Sequence, residues 1–308
     1  MCDIIAAVKS DLESVCYTTD LWTSRVGDSF ISLTVSFIDK NWVLHNWTPF
    51  IRHFPERHLG STIALELDSM IEQLGLNVDF LDQWSTNDNA ANMVKSIRES
   101  EYLQEYFCDI HTLQLAINDA FKDVDGMNNV LTKSKALARF THQSGIPVER
   151  LKAVCKVKGK KFKKLKNPGD TRWNGKYMNM ESVLYLKDVL QTLFIEDEDI
   201  WGPYIFRGSD WKLLQGAVTV LKPFLIATKT LEAEIIPTIN KSVEQMYTLD
   251  EHLRSFISNP SNCTYGIIFA KALKKRMLDR FPSCGMEVFE KCVANYLDPR
   301  FMGQHLAS

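Results

Sequence analysis

Two aspartates stand where β-rich runs stop, Asp20 in CYTTDLWTS and Asp88 in WSTNDNA. Carboxylates held at neighbouring strand ends cannot both ionise cheaply unless a cation lies between them, because like charges at close range raise one pKa. Hard oxygen ligands suit Mg²⁺ or Mn²⁺. A pair of such ions about 4 Å apart is the arrangement that activates the attacking and leaving oxygens in phosphodiester cleavage and transfer. Taken singly, Asp20 reads equally well as a turn residue and Asp88 as an N-cap for a helix opening at Ala90. Their joint placement is what points to metal.

Other groups could serve a nucleic acid. Residues 152–166, KAVCKVKGKKFKKLK, hold eight lysines and no acid, densest at Lys160, Lys161, Lys163 and Lys164. Such a run in a nearly neutral protein is a candidate phosphate-backbone or nuclear-import patch, or a solvated loop. Arg172 and Trp173 follow, in GDTRWN. Arginine can neutralise a phosphate and tryptophan can stack on an unpaired base; Trp173 also reads as a core anchor at a helix start. The sequence CDIH, Cys108 to His111, has the spacing of half a zinc site, with no second pair to complete a tetrahedron. The simpler reading buries Cys108 and lets His111 open a helix, although a His near the acids could touch a phosphate. The acidic cluster EDED at 196–199 reads as a solvated loop. Nucleotide-binding P-loops, dinucleotide fingerprints, nucleophile elbows and zincin helices are absent from the sequence.

The elements that must hold these residues change period along the chain. Residues 14–20, 30–39 and 42–54 are β-rich and joined by short turns, so they predict antiparallel neighbours. A helix over 61–74, a strand over 80–86, a helix over 90–100, a strand over 102–108 and a long helix over 112–138 follow. A crossover through a helix makes the fourth strand parallel to one already in the sheet, most economically the first. Asp20 and Asp88 would then sit together at the carboxyl ends, where open sheets bind ligands. Beyond Arg139 the β signal fades. Residues 144–170 read as a Gly-, Pro- and Lys-rich linker, and 173–193, 211–231, 238–257, 265–281 and 286–296 as successive helices. The expectation is an α/β part at 1–145 and an all-helical part at 146–308, with the basic linker at 150–170. A short helix is expected over 1–13.

Composition sets the class. Among 308 residues, 45% are hydrophobic and 24% charged, the formal net charge is −2, and the seven cysteines are scattered without a C-x-x-C pair. A globular core and a reducing compartment follow. Charges interrupt the N-terminal apolar residues, and no stretch approaches the roughly 20 apolar residues of a membrane span. The expectation is a cytosolic or nuclear protein with no membrane partner.

TTDLWTS at 18–24, STNDNAANMV at 85–94, CDIHTLQLAINDAF at 108–121, TRWN at 171–174 and LDPRF at 297–301 together resemble the hAT family of DNA transposases. They resemble equally the BED-type zinc finger host proteins derived from them. The resemblance implies an RNase H-like mixed sheet, three antiparallel strands and then αβαβ, interrupted by a large helical insertion. It also implies that Asp20 and Asp88 are the first two acids of a DDE triad binding Mg²⁺ or Mn²⁺. By the same carry-over His111, Arg172 and Trp173 would contact the DNA end, Trp173 stacking on a flipped base, and Trp22 would wall the site. The family's third acid, a Glu beyond the insertion, finds no match: Glu232 and Glu234 lie within the insertion and Glu287 and Glu290 precede DPRF. Neither the BED finger nor the C-terminal dimerisation region has a counterpart, so no zinc site is expected, and a homo-oligomer only where that region exists. The expected function is a transposase-derived nuclear DNA-binding protein, catalytically incomplete as written. The alternatives are a DDE transposase completed by a C-terminal segment, and a protein-interaction scaffold or transcription regulator without metal chemistry.

Overall fold

A computed structural model describes residues 14–76, 82–88, 90–169, 172–233 and 236–303. The helix expected over 1–13, the first residues of the strand expected at 80–86, and Asn89, Asp170, Thr171 and Glu234 lie outside the described residues. The chain divides into two compact units, one running to Thr112 and taking in Ala233–Pro237, the other formed by Leu113–Glu232 and the residues from Thr238 onward.

The first unit is built on strands β1 (Ser14–Thr23), β2 (Ser29–Ile38), β3 (Leu44–His53), β4 (Asp82–Asn87) and β5 (Gln104–Phe107), with helices α1 (Gly60–Leu74) and α2 (Ala91–Glu99). The sheet order is β3-β2-β1-β4-β5. Pairing is antiparallel from β1 to β2 and from β2 to β3, and parallel from β1 to β4 and from β4 to β5. The expected mixed sheet is present, with the fourth strand beside the first. Its hairpins are short for local reasons. Ser24 donates its N–H to the Asp28 carbonyl at 2.7 Å while Gly27 takes φ +99°, a conformation glycine adopts without a Cβ clash. At the next turn the Asp39 carboxylate accepts the N–H groups of Asn41 and Val43, both at 2.9 Å.

Alternation decides the faces. Val15 and Tyr17 of β1 and Ile31, Leu33, Val35 and Phe37 of β2 are buried against Ile63, Leu67, Met70 and Ile71 of α1 and Met93 and Ile97 of α2. With a period of two, Cys16, Thr18, Asp20 and Trp22 fall on the opposite face, where all four are exposed.

The second unit holds helices α3 (Asp109–Asp123, apart from its first turn), α4 (Met127–Gln143), α5 (Gly145–Val157), α6 (Trp173–Tyr185), α7 (Lys187–Glu196), α8 (Glu198–Trp201), α9 (Gly208–Leu231), α10 (Ile239–Ser258), α11 (Thr264–Arg280) and α12 (Phe289–Leu297). The single helix expected over 112–138 is two helices, divided at Gly126, whose φ is +79°. Helix α3 packs with the helical unit because its apolar stripe ends in Phe121, whose ring meets Phe269 at 5.5 Å. The first half of the expected linker is α5, with Leu151 and Cys155 buried; Pro147 does not break it, since a first-turn N–H has no helical partner to lose. Among the described residues no helix is long and apolar enough to cross a membrane.

Two contacts fix the helical unit. Helices α9 and α11 cross through glycines: a Cβ on Gly216 would lie 2.6 Å from the Gly266 backbone. The LDPRF motif closes a polar knot. Arg300 donates from Nε at 2.9 Å and from a terminal nitrogen at 2.6 Å to the Asp298 carboxylate. Asn240, at the start of α10, donates to the same carboxylate at 2.6 Å. Buried Asn295 of α12 in turn donates to the Asn240 carbonyl at 3.1 Å.

Two outcomes follow for stability. Gly216→Val should cost about 1–3 kcal/mol through overpacking against immovable backbone, read as a lower urea midpoint, whereas Gly208→Ala, which meets nothing within 4 Å, should leave the midpoint unchanged. An unaltered midpoint for Gly216→Val would refute the close crossing. Arg300 foremost, with Asn240, holds the Asp298 carboxyl far below the usual carboxylate range. Its contribution is therefore complete above the unfolded value of about 4 and is lost as pH falls below it. Asp298→Asn should lower Tm at pH 7 and flatten the acid limb of the Tm–pH profile; an unchanged acid limb would show that the knot does not hold the fold.

Candidate functional site

In the parallel pairing of β1 with β4, Ser14 stands opposite Asp82 and so on to Thr18 opposite Thr86. Asp20 lies two residues further along β1 and Asp88 directly follows β4, and both acids are exposed. Asp88 accepts the Ala90 N–H at 3.1 Å through Oδ1, which orients the carboxylate at the mouth of α2. It thus serves the turn before that helix and remains at the sheet end. Trp22 shares the face of Asp20, 37% exposed, with its ring stacked on Phe30 at 5.7 Å, and Phe30 meets His53 edge-on at 5.7 Å. Sequence reasoning missed this row of rings, although the alternation in β2 and β3 carries it.

The segment after β5 closes on the same end. Burial, foremost, pushes the Cys108 thiol up, and the nearby Asp109 and Asp88 carboxylates push it further. Cys108 thus stands beside the acid end and opens α3, its carbonyl accepting the Thr112 N–H at 3.0 Å and hydroxyl at 2.9 Å. His111 lies half-buried in that first turn. Among the described residues no three His, Cys, Asp or Glu side chains gather as a metal-binding group. Asp20 and Asp88 are exposed carboxylates, the donor type that suits Mg²⁺ or Mn²⁺.

The lysine-rich segment belongs to the helical unit and follows a fixed course. After α5 ends, residues 160–169 run without regular structure, yet Leu165 is buried and its carbonyl meets His142 Nε2 at 2.7 Å. The Lys166 N–H reaches Ser182 Oγ at 3.0 Å, and the Lys166 carbonyl accepts from Asn179 at 2.7 Å. The Tyr185 hydroxyl donates to the Lys161 carbonyl at 2.8 Å. Lys163 sits 4.4 Å over the Tyr185 ring; Lys160 lies 5.0 Å over the same ring and pairs with Asp188. Lys161, Lys163, Lys164 and Lys166 are exposed. The anchors come from α4, α6 and α7, distant in sequence; the one local signal was Phe162 and Leu165 among the lysines, apolar residues that a purely solvated loop does not need.

Arg172 is exposed immediately before α6. Trp173, expected to stack on a base, is instead buried at 1% exposure and packs edge-on against Tyr177 at 6.2 Å. Its ring fills the helical core, where a large apolar surface gains most from leaving water. Gly175 lies against the backbone of Gly169: a Cβ there would be 3.0 Å from the Gly169 nitrogen. The acidic cluster is also engaged, Arg150 pairing with Asp197.

Comparison with known proteins fits this geometry. Residues 18–113 match the family model of the ZBED1 RNase-like domain. A Zea mays protein named as an AC transposase is 22% identical over 94% of this chain and 37% of its own length. The zinc finger BED domain-containing protein DAYSLEEPER of Arabidopsis thaliana is 22% identical over 93% of this chain and 41% of its own length. The human zinc finger BED domain-containing protein 4 is 21% identical over 92% of this chain and 24% of its own length. The chain therefore spans about two fifths or less of the length of these curated relatives. The chain is thus similar to proteins named as AC transposases and as zinc finger BED domain-containing proteins, and its residues 18–113 are similar to the ZBED1 RNase-like domain.

Proposed function

We propose that this chain is a nuclear DNA-binding protein of transposase descent, gripping the phosphate backbone through the lysine segment and Arg172. The observation that carries this reading is the fixed course of residues 160–166. An ammonium group on an ordered backbone loses less freedom on meeting a phosphate than one on a free loop, and Lys161, Lys163 and Lys164 stand exposed on such a backbone. Among the described residues neither Lys161 nor Lys164 has a carboxylate partner. Tyr185 limits where Lys163 can go without cancelling its charge. With the whole chain near neutral, attraction to DNA is local to this strip and is screened within about 10 Å at 0.1 M salt.

In the first unit, Asp20 and Asp88 would hold a Mg²⁺ or Mn²⁺ ion, with Trp22 beside it and His111 within the same end of the sheet. Such an ion, when bound, lowers the pKa of a water and neutralises a phosphodiester oxygen. In this reading the lysine run also serves nuclear import, which a fluorescent fusion confined to the cytoplasm would disprove.

Two measurements test the reading. Calorimetric titration with Mn²⁺ should show binding that Asp20→Asn or Asp88→Asn weakens at least tenfold; equal heats from all three proteins would remove the metal site. For the DNA grip, a labelled duplex titrated at several salt concentrations should give a log–log slope shallower by roughly two for the double variant Lys161→Gln, Lys164→Gln, at about 0.9 per lost phosphate contact. A native chain that binds no duplex would overturn the proposal.

A further inference from the structure

Helix α12 carries its apolar side outward. With about 100° of turn per residue, Phe289, Val293, Tyr296 and Leu297 fall on one side of the helix, and Lys291 and Asn295 fall on the other. A surface helix ordinarily buries its apolar stripe and shows the polar one to water. Here Lys291 and Asn295 are buried, as is Asp298 just past the helix end, whereas Phe289, Tyr296 and Leu297 are 74%, 64% and 72% exposed. The polar side is committed through the knot with Asn240 and Arg300. The helix therefore cannot roll its stripe inward without breaking those bonds.

Charge and shape narrow what covers the stripe. The charges that reach solvent divide along the helix, Glu287 and Glu290 at its start and Arg300 beyond its end. Arg300 is 62% exposed, although Nε and one terminal nitrogen engage Asp298. Acids beside an apolar stripe repel a phosphate backbone, so nucleic acid does not fit this side. A second α12 laid antiparallel does fit: Phe289 of each copy meets Leu297 of the other about an axis near Val293, and the acidic start of each lies against the Arg300 end of its mate. One patch serves both copies, which closes the assembly at two. The three exposed side chains with Val293 offer roughly 400 Å² per copy, about half of what a standard interface takes from each partner. Such a pair is weak and forms only as concentration rises.

We infer that the apolar side of α12 is a self-association surface on which two copies of this chain pair antiparallel. The pairing needs no DNA and stands or falls apart from the DNA-binding reading.

Sedimentation equilibrium of the full chain, without DNA, from low micromolar to several hundred micromolar, tests it; a reducing agent keeps the exposed Cys16 and Cys263 from forming disulfides. The native chain should pass from one copy to two as concentration rises. Tyr296→Ser and Leu297→Ser, both at exposed positions and first checked for an unchanged Tm, should each weaken the pair about tenfold or more, because every substitution in a two-fold pair acts twice. Ile195→Ser, at an exposed apolar position in α7, should leave the pair intact. Glu287→Lys combined with Glu290→Lys should weaken it by setting like charge against Arg300. A native chain that stays single throughout overturns the inference. So does a mass that climbs past two copies, and so does an Ile195→Ser variant that dissociates as readily as the α12 variants, since either result marks unspecific sticking. Unchanged pairing after the Glu287 and Glu290 substitutions overturns the antiparallel arrangement.

Discussion

The parallel pairing of β1 with β4 governs what the first unit can do. It sets β4, which Asp88 follows, beside the strand that carries Asp20, through backbone hydrogen bonds that are indifferent to side-chain charge. A slip of one residue would turn Asp88 to the face of α1 and α2 and bury it among Ile63, Leu67 and Met93. A carboxylate cannot be placed there cheaply. Buried Gln83 of β4 accepts the Tyr17 hydroxyl at 2.9 Å, and that bond opposes the slip.

The helical unit meets a comparable problem differently. Eight lysines in fifteen residues repel one another, and nothing in that composition fixes a backbone. The fixing comes from Leu165, which gives the segment one apolar foot in the core, and from hydrogen bonds to the segment's carbonyls and amides by His142, Asn179, Ser182 and Tyr185. Charge is presented by the side chains and order is imposed through the main chain. The two do not compete, because the anchoring partners are neutral or bind away from the ammonium groups, Lys160 with Asp188 being the exception.

Most of the sheet was legible in the sequence, because period-two alternation and short turns are local signals, and the crossover rule then leaves few arrangements for the fourth strand. The place of β4 beside β1 followed from that topology. Helix α5 was not legible: Gly145 and Pro147 near its start read as breakers, although a first turn tolerates both, and Leu151 with Cys155 at helical spacing was the signal that went unused. The order of the lysine segment was illegible for another reason, since the side chains that hydrogen-bond its backbone, those of His142, Asn179, Ser182 and Tyr185, lie at least thirteen residues away in sequence. Trp173 was ambiguous in the sequence between a stacking ring and a core anchor, and only packing could settle which surface it covers.

The motifs that reveal ancestry divide by the work they do in this fold. TTDLWTS and STNDNAANMV bring acids to a sheet end, a placement useful for chemistry and costly for nothing else. LDPRF instead ties α12 to α10 through Asp298, Arg300 and Asn240, and TRWN plants Trp173 in the core while Gly175 lets the chain pass at close range. These last two serve packing whatever the chain does, so the resemblance they carry is a statement about architecture, whereas Asp20 and Asp88 lie exposed outside the core.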